Sequence, residues 1–184
     1  MEVDPKAERS DEMLMGAVAG GSAEAFEEIL RRYQDRVLGL LVGMTGDRET
    51  ARDLTQECFL RLLRSAGRYR PKGRFSSYLF TIARRLAYDE TGRAWRRRES
   101  IPETLPDPGE NPAERTERLD RESRLREAIR KLPDAEREVL LLSERGGLRY
   151  AEIARVVGCP EGTVASRKNR ALRMLREALG EVRS

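Results

Sequence analysis

One stretch near the middle of the chain constrains the fold more than any other. From Glu99 to Glu114 there are four prolines (Pro102, Pro106, Pro108, Pro112) and five acids (Glu99, Glu103, Asp107, Glu110, Glu114), with no lysine or arginine. Proline fixes φ and removes a backbone donor, so such a stretch is not expected to propagate a helix, and with Ile101 and Leu105 as its only large apolar residues it is too poor in core formers to pack by itself. The chain is therefore expected to fold as two units, 11–97 and 119–184, joined by an extended acidic linker over 98–118. Directly before the acids lie Arg93, Arg96, Arg97 and Arg98. The sign of charge flips within a few residues, which fits either two segments that meet different surroundings or a plain solvated tether.

Both flanks carry helical periodicity and neither shows strand-like alternation, which predicts an all-α protein. In the first unit, an N-terminal helical bundle, the spacing predicts helices near 11–19, 23–43, 48–66 and 75–95. Gly20-Gly21-Ser22, Gly46-Asp47 and Pro71-Lys72-Gly73 break them. In the second, helices are expected near 117–131, 134–145, 149–157 and 161–179, broken by Pro133, Gly146-Gly147 and Gly158-Cys159-Pro160. No internal repeat is visible.

Composition narrows the chemistry. The chain has no histidine, which removes Ser-His and Cys-His catalysis and the commonest metal ligand together. Its two cysteines, Cys58 and Cys159, match neither CxxC nor a zinc spacing and are expected to be buried thiols. No metal or cofactor is predicted. No run approaches the roughly 18 apolar residues that span a bilayer, and Met1 to Ser10 is too charged for a signal peptide. No membrane insertion and a cytoplasmic location are the expectations. The net charge of +4 fits a nucleic-acid partner.

Three helix faces are candidate sites. Over 48–66, a 100° step gathers Ala51, Leu54, Thr55, Cys58, Leu62 and Ala66 on a core face, while Asp53, Gln56, Glu57, Leu60 and Arg64 fall opposite. A leucine in a polar stripe can anchor a partner helix, although a lone exposed leucine is also ordinary. In the helix from Phe75, Leu79, Ile82, Ala83 and Leu86 share one side, and Tyr78, Thr81, Arg84, Arg85 and Tyr88 the other. Aromatics beside arginines suit a single-stranded base and its phosphates, or simply cover neighbours.

The third is a helix-turn-helix. Tyr150 to Ala154 lie in its first helix, Gly158-Cys159-Pro160 form the turn, and Gly162-Thr163-Val164 open the second. Ile153, Ala154, Val157, Val164 and Ala171 are the expected packing. Ser166, Asn169, Arg170 and Arg173 point away from Val164, where arginine suits guanine and asparagine adenine. The plain alternative is a structural three-helix domain.

The wording of these segments resembles the extracytoplasmic-function (ECF) RNA polymerase sigma factors over roughly residues 11–180. DLTQECFLRL, 53–62, is similar to the family's polymerase-binding segment, and the resemblance implies that Asp53, Gln56, Glu57 and Phe59 dock on the clamp coiled coil of the largest core subunit. Leu60 joins them from helix geometry. FSSYLFTIARRLAYDETGRAWRRR, 75–98, resembles the promoter-melting segment, where a loop and this helix capture an unpaired base of the −10 element. Arg85 stands where the family often has asparagine, and Trp95 is taken as a packing residue.

Residues 125–179 resemble the −35-binding domain, which implies roles for Thr163, Ser166, Arg167, Lys168, Asn169, Arg170 and Arg173. Ala165 replaces a frequent basic residue. Lys168 replaces a common apolar one, so its stem is expected to pack while its ammonium reaches solvent or phosphate. By helix direction, Asn169 and Arg170 are expected to read bases, and Arg167 and Lys168 to hold phosphate.

The resemblance implies a non-enzymatic subunit whose domains spread over the clamp and flap of the large core subunits, one at each promoter element. The linker would thread toward the RNA channel, where acids suit a surface that normally holds nucleic acid. An anti-sigma factor is expected as a further partner on the same basis. Two other classes remain. A helix-turn-helix regulator acting without polymerase leaves DLTQECF unexplained, and a nucleic-acid enzyme lacks a carboxylate cluster or nucleophile in a cleft.

Overall fold

The computed structural model describes residues 9–70, 73–94 and 112–180, and among them all regular structure is helical. The first unit comprises α1 (Asp11–Ala19), α2 (Ala23–Thr45), α3 (Arg48–Ser65), a 3₁₀ turn (Ala66–Arg68) and α4 (Phe75–Ala94). The second comprises α5 (Pro112–Lys131), α6 (Asp134–Glu144), α7 (Tyr150–Val157) and α8 (Glu161–Ala178).

Local chemistry explains the boundaries. The side chains of Ser10, Ser22 and Asp47 accept hydrogen bonds from Met13 N (3.2 Å), Ala25 N (3.2 Å) and Thr50 N (2.7 Å), which satisfies otherwise orphaned donors at the starts of α1, α2 and α3. The bonds from Thr50 also hold the Asp47 carboxyl below its ordinary range. The helix α2 stops at Gly46 and α7 at Gly158, both at positive φ (77° and 73°), where a Cβ is unfavourable.

The apolar stripe of α2, with Ile29, Tyr33, Val37, Leu40 and Leu41 buried, is the axis on which α1, α3 and α4 pack. Full burial of each aliphatic side chain contributes roughly 1.5–3 kcal/mol. At one end, Tyr33 Oη donates to Asp11 Oδ2 at 2.6 Å, tying α1 to α2. In the second unit, Ala128 and Leu132 meet Leu140 of α6 and Ala171 and Leu175 of α8. The helix-turn-helix stands on Ile153 and Val164, both fully buried, and on Val156.

Two expectations change. The acidic linker does not extend to 118, because α5 begins at Pro112; proline is tolerated at a first helical position, where its missing N–H has no intrahelical partner. Nor are the two units separate, since Leu141, Leu142, Leu148, Ile153 and Val164 share one hydrophobic core with Leu40, Leu41, Leu79 and Phe80. The reason lies in α6, where Val139, Leu140, Leu141 and Leu142 are all buried. Four consecutive apolar residues wrap a helix rather than stripe it, so α6 buries one side on α8 and another on the first unit. Trp95 and the acidic run up to Asn111 lie outside the described residues.

Candidate functional site

On α3 the predicted core face is buried at Ala51, Cys58, Leu62 and the following Ala66, and Leu54 and Thr55 are half-buried. Opposite, Asp53, Gln56 and Arg64 are exposed, and Glu57 pairs with Arg61 at 2.7 Å, which lowers its carboxyl. Leu60 is 45% exposed, and Leu63, which periodicity could have found three residues on, is 44% exposed. The pair makes an apolar strip beside the acids. Phe59 is a correction: it is 4% exposed and packs edge-on against Phe26 with centroids 6.5 Å apart, so it supports the face from beneath instead of contacting a partner.

The outer side of α4 is more engaged than its period suggests. Tyr78 donates to Ser65 Oγ at 2.8 Å and lies 5.1 Å from the Tyr69 ring, and Thr81 donates to the Ser77 carbonyl at 2.7 Å. Arg85 is exposed and Tyr88 is 39% exposed. Arg84 is ion-paired with Glu138 of α6, and its guanidinium also sits 4.8 Å from the Tyr88 ring centroid. Burial works against the Arg84 charge, but the carboxylate outweighs it and raises the pKa.

Beside Tyr78 and Thr81 opens a cleft of about 180 Å³ lined also by Tyr69, Arg70, Arg74, Ser77 and Arg155. Two buried hydroxyl oxygens, Tyr69 Oη and Ser77 Oγ, have no hydrogen-bond partner among the described residues. Aromatic rings, guanidinium groups and unsatisfied hydroxyls together suit an unstacked base with its phosphate. Tyr69, Arg70, Arg74 and Ser77 escaped the periodicity reading, because most of them belong to the turn before α4 and Ser77 counts as an ordinary buried serine.

On α8, Val164, Ala171 and Leu175 are buried, and Ser166, Asn169, Arg170 and Arg173 are exposed as their direction predicts, with Thr163 half-buried at the start. Ser166 donates to the Thr163 carbonyl at 3.0 Å, and an Arg167 Nη1 lies 3.8 Å from Cys159 Sγ. Lys168 departs from expectation. Its ammonium meets Ser143 Oγ at 2.6 Å and Glu144 at 2.9 Å and is only 18% exposed, so it serves the α6–α8 contact rather than phosphate. Arg170 is divided: one nitrogen bonds Glu136 at 3.0 Å while the side chain stays 60% exposed.

Among the described residues no group of three or more His, Cys, Asp or Glu is placed to hold a metal ion, and no helix is long and apolar enough to cross a membrane. The site is therefore three surfaces of contrasting chemistry: an apolar and acidic strip, an arginine-rich aromatic cleft, and a polar helix edge.

Residues 29–98 match the family model described as Sigma-70 region 2, and residues 122–175 the one described as Sigma-70, region 4. The chain is 32% identical to the RNA polymerase sigma-H factor of Pseudomonas aeruginosa, over 94% of this chain and 95% of that protein. It is 34% identical to the ECF RNA polymerase sigma factor SigE of Mycolicibacterium smegmatis, over 97% of this chain and 71% of that one. In fold it resembles the sigma factor RpoE of Bartonella quintana, solved with the anti-sigma factor NepR, at a TM-score of 0.71 and 21% identity, over 88% of this chain and 100% of that one.

Proposed function

Because this chain belongs to the ECF type of sigma-70 family RNA polymerase sigma factors, which bind core polymerase and direct promoter-specific initiation, we propose how its three surfaces divide that work. Asp53, Gln56, Glu57, Leu60 and Leu63 form the core-polymerase face. Tyr78, Thr81, Arg84, Arg85 and Tyr88, with the cleft around Tyr69 and Ser77, take the −10 element as single strand. Thr163, Ser166, Arg167, Asn169, Arg170 and Arg173 take the −35 element as duplex. The division follows: 11–97 serves polymerase and −10, the unit that begins with α5 at Pro112 serves −35, and the acidic segment between them runs toward the RNA channel.

The observation that carries this reading is the pair of half-exposed leucines set among acids on α3. A DNA-binding regulator has no use for an apolar, acidic helix face, whereas a protein-docking face needs an apolar anchor with a polar rim. The protein is a non-enzymatic initiation factor working in the cytoplasm, and an anti-sigma factor of the kind seen with RpoE is a fitting partner.

Multi-round transcription with purified core polymerase on a genomic promoter library tests the whole reading. Promoter-specific transcripts are expected. Binding without transcripts would favour a free-standing regulator, and chemically altered DNA an enzyme.

A further inference from the structure

On α8, Arg167, Arg170 and Arg173 follow one another at intervals of three residues and are neighbours along the helix surface. Like charges at that spacing repel, so an unheld guanidinium in the middle of the row is driven outward into solvent. Arg170 has no acid within a turn of its own helix, where Ser166, Arg167, Arg173 and Met174 are its neighbours. Its acid comes from α6 instead: Arg170 Nη1 donates to Glu136 Oε1 at 3.0 Å. Among the described residues Arg170 alone of the three is ion-paired, and Arg167 meets Cys159 Sγ.

The pair is asymmetric. The Glu136 side chain is 8% exposed and that of Arg170 60%, so a buried acid lies beneath an open arginine. A carboxylate is tolerated in such a place only when it is paired. A negative charge under a surface that meets a polyanion also lowers affinity for every sequence, so Glu136 does not serve affinity. Its mount is rigid. Leu140, one turn after Glu136, packs with Ala171, the residue after Arg170, and with Leu175, all three buried. At the other end of α6, Glu144 holds Lys168 at 2.9 Å. Two charged links around a packed centre fix α6 against α8, and the Glu136 carboxylate with it.

We propose that Glu136 is a positioning residue, which makes Arg170 a reader of guanine at one −35 base pair rather than a cation for phosphate. A guanidinium presents five N–H donors in one plane. Engaging Nη1 restrains that plane and leaves Nε and Nη2 along one edge, spaced for the O6 and N7 acceptors of guanine. Those acceptors are neutral, so reading them needs direction and not net charge, whereas attraction to phosphate needs charge and tolerates poor aim. The buried carboxylate supplies direction and cancels charge. It therefore favours the first use of the arginine and opposes the second. The inference rests on the assignment of Arg170 to the −35 element.

The test uses holoenzyme, reconstituted from the full chain and purified core polymerase, on a promoter fragment, its single-base −35 variants and a mixed-sequence duplex at several salt concentrations. Glu136→Gln keeps the side-chain volume and an acceptor for Nη1, but replaces a charge-assisted bond by a neutral one about half as strong. Discrimination at the position read by Arg170 should fall about fivefold. Binding to the mixed-sequence duplex should be unchanged or tighter, with a salt slope steeper by up to about one unit. Adding Glu136→Gln to Arg170→Ala should cost no further discrimination, because a positioning residue acts only through its partner. Equal weakening on every duplex is what a merely structural tie between α6 and α8 would give, and it overturns the proposal. Unchanged discrimination in Glu136→Gln, or a further loss in the double variant, does the same. The two assignments fail separately: if Arg170→Ala leaves every −35 preference intact, the role of Arg170 falls and the proposal with it, whereas if Arg170→Ala relaxes one position and Glu136→Gln none, only the positioning role falls.

Discussion

Replacing Leu60 and Leu63 together by alanine removes the apolar strip of α3 while leaving Asp53, Gln56 and Glu57 in place. Burying a leucine side chain completely contributes roughly 1.5–3 kcal/mol. Leu60 and Leu63 already have a little over half of their surface covered, at 45% and 44% exposure, so docking gains about 1 kcal/mol from each. The double variant should weaken binding by about 2 kcal/mol, or about 30-fold in Kd. Neither side chain belongs to the buried core, so the melting temperature should scarcely move. Titration of labelled chain with core polymerase measures the first quantity and thermal circular dichroism the second. Adding charge, as in Leu60→Arg with Glu57→Lys, should weaken binding further, again with unchanged helicity. A double-alanine variant that binds core as tightly as wild type, with an unchanged melt, would refute the docking role of this face.

Phe59→Ala should act oppositely to the leucines, costing about 3–5 kcal/mol of stability by opening a cavity against Phe26, as a denaturant titration of the full chain would show. In holoenzyme on single-base −35 variants, Arg170→Ala should relax preference at one position at a cost of about 1–3 kcal/mol. Glu136→Gln should give a weaker copy of that pattern, while Arg167→Ala weakens all sequences alike and lowers the salt slope by about one unit; the reverse assignment of patterns would show the helix orientation to be wrong. Burial pushes the Cys58 thiol up to about 12. Since its folded pKa exceeds its unfolded one, the stability it confers is complete at neutral pH and fades from about pH 9 toward about 12. Comparison of Cys58→Ala with wild type by pH-dependent melting should show the difference shrinking across that window, and native alkylation should modify half-buried Cys159 but spare Cys58.

Much of this molecule is written in local sequence. Helix starts are set by Ser10, Ser22 and Asp47 and stops by Gly46 and Gly158, because a cap bonds to backbone within three residues and a positive φ is a property of one residue. The outward direction of Asn169, Arg170 and Arg173 was equally legible, since it depends only on the angle each side chain makes with its own helix axis. What stands opposite a face is a different matter. Phe59 lies at the flank of the α3 core stripe, and only the arrival of Phe26 decided that it is buried. Lys168 became a structural residue because Ser143 and Glu144 happen to meet its ammonium, and Arg84 is occupied because Glu138 comes from a helix more than 50 residues away in sequence. The run Val139 to Leu142 announced a helix covered on more than one side, without saying by what. Periodicity fixes an angle about one axis; the partner across that face, and so whether a charge is free, paired or masked, is set only when a second axis is laid beside it.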